Sequence, residues 1–404
     1  MKAFTEPLLS LAGFEEMTKT AEKSSGLISV TGCIDAQKSQ MIYAFGGHRK
    51  NKLIVTFGEQ KAKELYDEYS FFDKEVVYYP SKDVLFYQSD IRGNLLTAER
   101  IRALKAIREQ ERVTLVTTFD ALMNTMAPIE KMWENVLTLE QGQLLDLKEI
   151  QAALIRMGYE KEYQVQTMGQ FSVRGGILDV FPLTEENPIR IELWGDEIDT
   201  IRYFDCESQK SIENIDRVSI YPAAELVLSD EEKAGGIEKL KAEAKRVSDK
   251  LRKQMKTEEA HRVTVMADEL IEEWGELSMY AGMDAFLSYF FDERVGLLDY
   301  FKPSDSLIFF DELTRCTEQG KLTETEFSES MKQRLAMGYI LPGQMNGLFT
   351  EKEIVAKLEK YSCIALGALD NKANGLHQLG SYGIHCQSVS PYNNSCLLYT
   401  SDAA

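Results

Sequence analysis

Two stretches of this 404-residue chain carry residue types that could handle a phosphate. The apolar run Leu27 to Val30 leads into Thr31-Gly32-Cys33-Ile34-Asp35-Ala36-Gln37-Lys38-Ser39, one residue away from the phosphate-loop pattern G-x-x-x-x-G-K-S/T. Gln37 stands where the second glycine belongs. That glycine lets backbone N–H groups close round phosphates with no Cβ in the way, so a glutamine blocks the approach and strains the loop. The stretch reads as the relic of a nucleotide site, with an ordinary strand-to-helix turn as the bland alternative. The second stretch, Leu307-Ile-Phe-Phe-Asp311-Glu312, is four apolar residues followed by two acids, an arrangement that places a magnesium-directed carboxylate at the end of a buried strand. Apolar strands often end in acids, so it gains weight only beside the first motif. The relic set is Gly32, Gln37, Lys38, Ser39, Asp311 and Glu312, and no catalytic residue is assigned.

A third constellation runs from Gly169 to Pro182 (GQFSVRGGILDVFP) and on to Arg190-Ile191-Glu192. Strand periodicity of two places Ser172 and Arg174 on one face and Phe171 and Val173 on the other. Likewise Arg190 and Glu192 share a face while Ile189, Ile191 and Leu193 point to a core. Arg174, Arg190 and Glu192 can therefore form one exposed polar patch, whose bland reading is a solvated sheet face with weak cross-strand ion pairs.

The elements that must position these residues follow from the pattern. From Gly26 to Thr118, apolar β-branched runs alternate with amphipathic stretches of 8 to 12 residues, the signature of a parallel sheet covered on both faces. Between about Ala127 and Glu225 the period changes to two, and Gly195-Asp196 reads as a two-residue hairpin turn, with Gly175-Gly176 as a turn or bulge and a helix near Leu147 to Met157. Ser229 and Glu232 form a capping box opening a long helix through Met255. After it, Val263 to Met266 and Leu307 to Phe310 read as strands and Thr323 to Met337 as a helix. Pro342-Gly343 marks a boundary before a further helix and strand. The expected organisation is an N-terminal segment over 1–25 and a degenerate phosphate-loop α/β domain over 26–126, interrupted by an α+β antiparallel insert over 127–225. The first domain resumes over 226–341, and a further small α/β domain starts over 342–395.

Composition narrows the function classes. Lys plus Arg number 46 against 65 Asp plus Glu, a net charge of −19, which disfavours this chain as a stand-alone nucleic-acid binder, since phosphate neutralisation needs clustered Lys and Arg. A protein partner fits better. No run of about 18 apolar residues occurs, and Glu15 and Glu16 interrupt the short apolar N-terminal stretch, so the expectation is a cytoplasmic protein with no membrane partner. The six cysteines and four histidines are scattered, without metal-ligand spacing.

The stretch FSVRGGILDVFPLTEENPIRIELWGDEIDTIRYFD resembles the UvrA-binding domain shared by the excision-repair protein UvrB and the bacterial transcription-repair coupling factors. Both hairpins, the Arg-Gly-Gly and Phe-Pro corners and the Arg-x-Glu pair fall in order over some 35 residues, and the likeness extends from Gly26 to about Ser395. Gln37 and the short chain between Tyr79 and Ala103 match the coupling factors, whose corresponding loop is degraded, rather than UvrB, which carries an aromatic hairpin there. The resemblance implies UvrA as partner, with Arg174, Arg190 and Glu192 at its contact positions. Ser172 stands where UvrB has another arginine, and Lys161 approximately matches a further basic position. It also implies that RNA polymerase and DNA are engaged, and ATP and magnesium used, by motor domains outside this chain, leaving this part without a cofactor of its own. A UvrB-like ATPase that verifies DNA damage is the alternative, and Gln37 argues against it. Cys396 to Ala404 breaks the family pattern and reads as a non-native tail.

Overall fold

The computed structural model describes residues 2–11, 13–45, 49–82, 93–276, 283–369 and 375–384; the expected non-native tail and part of the chain between Tyr79 and Ala103 lie outside them. Apolar runs form β1 (Gly26–Thr31), β2 (Asn51–Thr56), β3 (Val77–Tyr79) and β4 (Val113–Thr118). Next come the short β5 (Thr125–Met126), then β6 (Leu137–Glu140), β7 (Glu160–Lys161), β8 (Gln170–Arg174), β9 (Ile177–Val180), β10 (Ile189–Trp194), β11 (Glu197–Phe204), β12 (Ser211–Ile215) and β13 (Arg217–Ile220). The chain closes with β14 (Val295–Gly296), β15 (Ser306–Asp311), β16 (Ser362–Gly367) and β17 (Gln378–Gly383).

The main sheet has seven parallel strands in the order β17-β1-β16-β15-β2-β4-β3. Because side chains alternate faces along a strand, Leu53 and Val55 enter one core while Ile54 enters the other. That is why these strands read as unbroken apolar runs. The order brings β1 and β15, distant in sequence, to either side of β16, so the ends of the two phosphate-type motifs lie together. Helices Lys2–Leu9 and Phe14–Lys23 cover one face, burying Leu8, Phe14 and Met17.

The antiparallel insert leaves after β4 through β6 and returns through β13, and these two strands pair with each other. Its sheet runs β12-β11-β10-β9-β8-β7, with the Leu147–Arg156 helix among the elements packed on its apolar face. Gly175 and Gly195 take the positive φ that the two-residue turns after β8 and β10 require. Past β13 the chain is pinned by a buried ion network. Glu225 lies 2.7 Å from Arg100 Nε and 2.8 Å from Lys82 Nζ. Burial alone would raise its pKa, but Arg100 and Lys82 outweigh that and hold it below the usual carboxylate range.

Three sequence expectations are corrected here. Val263 to Met266 lies within the helix Thr257–Glu276, which packs antiparallel on Asp230–Lys253 and buries Ala260, Val263 and Ala267; a run of three β-branched residues and a methionine does not outweigh a helical stripe with steps of three and four. The helix expected from Thr323 begins at Leu313. The stretch after Pro342 starts no further domain: β16 sits inside the main sheet between β1 and β15, β17 lies at its edge, and Glu351–Leu358 is the crossover helix before β16. A helix followed by a strand reads identically in either setting, and only pairing separates them.

One buried group is out of keeping with its surroundings. Lys52 on β2 is nearly enclosed; its amine donates to Tyr69 Oη at 3.0 Å and stands 5.6 Å and 5.8 Å from the Tyr43 and Tyr69 ring centroids. Burial pushes its pKa down to about 8, against a smaller opposing pull from Asp73. A lysine whose folded pKa is depressed costs stability wherever the unfolded chain holds the proton more firmly. The cost therefore grows as pH falls from about 10.5 to about 8 and is constant below that. Lys52→Met is expected to raise stability at pH 7 by up to about 3 kcal/mol, with the gain shrinking above pH 8 in denaturant titrations.

Candidate functional site

The helix after β1 starts at Asp35, so only Gly32, Cys33 and Ile34 separate strand from helix. In that short turn three backbone donors are committed within the chain: Gly32 N–H donates to Ala368 O (3.3 Å), Cys33 N–H to Gly367 O (3.1 Å) and Gln37 N–H to Ile34 O (3.0 Å). Gly32 has φ +82°, and a Cβ there would lie 2.0 Å from Ile384 O, so the strand-edge chain lies directly against the loop. Lys38 is buried, with Nζ 2.5 Å from Asp311 Oδ1, 2.9 Å from Asp35 Oδ1 and 3.1 Å from Glu312 Oε1. Burial would lower its pKa, yet Asp311 and the other carboxylates raise it above the usual lysine range. Thr56 Oγ1 donates to the other Asp311 oxygen at 2.9 Å, Ser39 Oγ to Glu68 at 3.3 Å. The structure thus brings the two motifs together as expected, but as an internal ion pair: Asp311 takes up the lysine that would otherwise meet a phosphate.

The second site is the outer face of the inserted sheet. Registers align Ser172, Asp179, Arg190 and Arg202 in one row across β8, β9, β10 and β11, and Arg174, Ile177, Glu192 and Thr200 in the next. Asp179 is 1% exposed and accepts from Arg190 Nε (2.7 Å), Arg190 Nη2 (2.8 Å) and Arg174 Nη2 (2.8 Å). The Arg190 guanidinium lies over the Phe204 ring, 4.3 Å from its centroid, and donates to Gln209 Oε1 at 2.8 Å. Hydrogen bonding to Asp179, only partly opposed by burial, raises the Arg190 pKa. Glu192 pairs with Arg202 through two hydrogen bonds, and that pairing holds its pKa below the usual carboxylate range. Charges on this face nearly cancel.

The expected patch therefore exists, but it is a packed network. Arg174 and Glu192 remain about one third exposed, whereas the Arg190 side chain is 13% exposed. Ser172 is buried, its hydroxyl without a hydrogen bond among the described residues, so it does not reach the surface. Lys161 pairs with core-facing Phe171 and donates to Gln151 on the Leu147–Arg156 helix, which places it on the opposite side of the sheet from the arginines. A consequence is measurable. Arg190→Ala leaves the buried Asp179 carboxylate with Arg174 alone and should lower stability by about 3–5 kcal/mol, while Arg174→Ala should cost about 1 kcal/mol or less; thermal melts of the two variants separate these outcomes.

Sequence reasoning missed four residues of this face: Asp179, Arg202, Gln209 and Trp194. Trp194 follows Arg190 and Glu192 at alternate positions of β10 and is 85% exposed. Leu144, also well exposed, stands opposite Glu197, the cross-strand partner of Trp194. The parity that assigned Arg190 and Glu192 also assigns Asp179 and Trp194 to the outer face, so the signal was present for both.

Comparison with known proteins bears on both sites. The family model described as the UvrB interaction domain matches residues 137–226, which contain the whole outer face. The chain is 29% identical over 309 residues to the transcription-repair-coupling factor of Bacillus subtilis, covering 76% of this chain and 26% of that one. It is 30% identical over 338 residues to the transcription-repair-coupling factor of Staphylococcus aureus (strain MRSA252), covering 82% of this chain and 28% of that one. Over most of its length the chain is similar to transcription-repair-coupling factors, and its insert matches the UvrB interaction domain. It spans little more than a quarter of the length of the curated relatives it matches. Within the module, the interaction domain is the insert, and the α/β domain carrying the Lys38–Asp311 pair is its frame. Among the described residues no helix is long and apolar enough to cross a membrane.

Proposed function

We propose that this module recruits UvrA to DNA damage through the outer face of its inserted sheet. The observation that carries the reading is the exposed Trp194 at the end of an ordered charge network, inside a domain of the UvrB interaction type. Tryptophan is enriched at binding hot spots, and this one lies two residues beyond Glu192, the partner of Arg202, on the same strand. In this reading Arg174 and the Glu192–Arg202 pair form the polar rim, and Arg190 acts as a fixed platform. In this reading the α/β domain binds no nucleotide, since the N–H groups of Gly32, Cys33 and Gln37 and the Lys38 amine are engaged within the chain. Contacts with RNA polymerase and DNA, and the use of ATP and magnesium, belong to regions outside this chain in a cytoplasmic repair factor. The test is retention of purified UvrA on the immobilised module, with Trp194→Ala as the paired control; equal retention by both removes the face from the account.

A further inference from the structure

Three non-glycine residues among those described have positive φ: Gln209, Met255 and Glu312. Gln209, at φ 57°, is the one that touches the interaction face. A non-glycine residue in the left-handed region is held there only by surroundings that over-determine it, and such residues cluster at functional sites. The surroundings are explicit. In the turn from β11 to β12, Gln209 N–H donates to Asp205 O (2.9 Å) and Asp205 N–H to Lys210 O (3.0 Å), while the Asp205 carboxylate accepts from Ser208 N–H (2.7 Å) and Oγ (2.6 Å). This closed turn aims the Gln209 amide inward. Its Nε2 donates to Cys206 O at 2.8 Å, which orients Oε1 to accept from Arg190 Nη2.

We infer that Gln209 is a positioning residue: its strained backbone sets the Arg190 guanidinium in the orientation the partner protein meets. The inference rests on the proposed UvrA-binding role of this face and adds the element that pre-organises it. Arg190 Nε and Nη2 are consumed by Asp179 and Gln209, and the ring of Phe204 fixes the plane. Without Gln209, the guanidinium keeps its carboxylate but loses the bond that stops it pivoting about that pair, so binding has to supply the ordering. Strain makes the assignment separable from a structural role. Glycine occupies positive φ freely, so Gln209→Gly relieves the backbone while deleting the amide.

The experiment measures UvrA affinity and thermal midpoint for the wild-type chain, Gln209→Gly, Gln209→Glu, Arg190→Lys and the double variant Gln209→Gly/Arg190→Lys. The expected result is that Gln209→Gly keeps or raises the midpoint and weakens binding about three- to tenfold. Gln209→Glu, which retains an acceptor for Arg190, should stay within about threefold of wild type. In the Arg190→Lys background, where an ammonium cannot span Asp179 and Gln209 together, Gln209→Gly should change nothing further. Equal binding by wild type and Gln209→Gly overturns the inference, as does an affinity loss that persists in the Arg190→Lys background. Failure of the wild-type chain itself to bind UvrA would instead overturn the reading of the face on which the inference stands.

Discussion

Lys38→Met is expected to lower the stability of the α/β domain by about 3–5 kcal/mol, and to leave UvrA binding per folded molecule unchanged. Asp311 and Lys38 are both 1% exposed and 2.5 Å apart. Removing the lysine strands a carboxylate whose remaining partner among the contacts described is the Thr56 hydroxyl. Breaking a buried pair from one side costs far more than replacing both partners by apolar groups of similar volume, so Lys38→Met/Asp311→Leu should recover a large part of the loss. Denaturant unfolding of the three proteins gives the comparison. In an open phosphate site the corresponding lysine faces ligand, and its loss abolishes nucleotide binding while sparing the fold. The opposite pattern here follows from the sheet order, which sets the ends of β1 and β15 on either side of β16 and lets an acid from one motif neutralise the lysine of the other. Gln37→Gly alone should not restore nucleotide binding, since the N–H groups of Gly32 and Cys33 would still be held by Ala368 and Gly367.

The second large effect concerns Trp194. At 85% exposure it makes little contribution to folding, so Trp194→Ala should shift the thermal midpoint little. Tryptophans at the centre of protein interfaces commonly cost about 2–4 kcal/mol when truncated, a loss of affinity of roughly 30- to 1,000-fold. Nearby charges contribute differently. Arg174 is accessible, and its truncation should weaken binding without melting the insert. Arg190→Ala should do both, because the guanidinium that supports the face also neutralises Asp179.

Much of this was legible in the sequence because two periods are hard to mistake. Unbroken runs such as Leu53 to Val55 announced a parallel sheet covered on both faces, and alternation through Ile189 to Trp194 announced the insert and the correct outer face for Arg174, Arg190 and Glu192. What parity cannot convey is depth. It placed Ser172 and Arg190 on the outer face, but gave no sign that Asp179 and Phe204 would draw the arginine down and that the hydroxyl would be covered. Lys161 was named from the resemblance alone, and a two-residue edge strand has no period that shows which side of the sheet it takes. The Gln209 contact was invisible for another reason: a left-handed turn residue of ordinary type leaves no pattern in the chain. Likewise β16 could not be assigned to the first sheet, since strand pairing across more than 300 residues has no local signature.

A calorimetric titration of UvrA into this chain, wild type against Trp194→Ala, with folding of both verified by thermal melts, tests the assignment of this face most directly. The expected result is saturable binding by the wild type and a loss of about 30-fold or more in the variant at a nearly unchanged midpoint. Binding of equal strength by the two proteins, or no binding by the wild type, would contradict the assignment of this face.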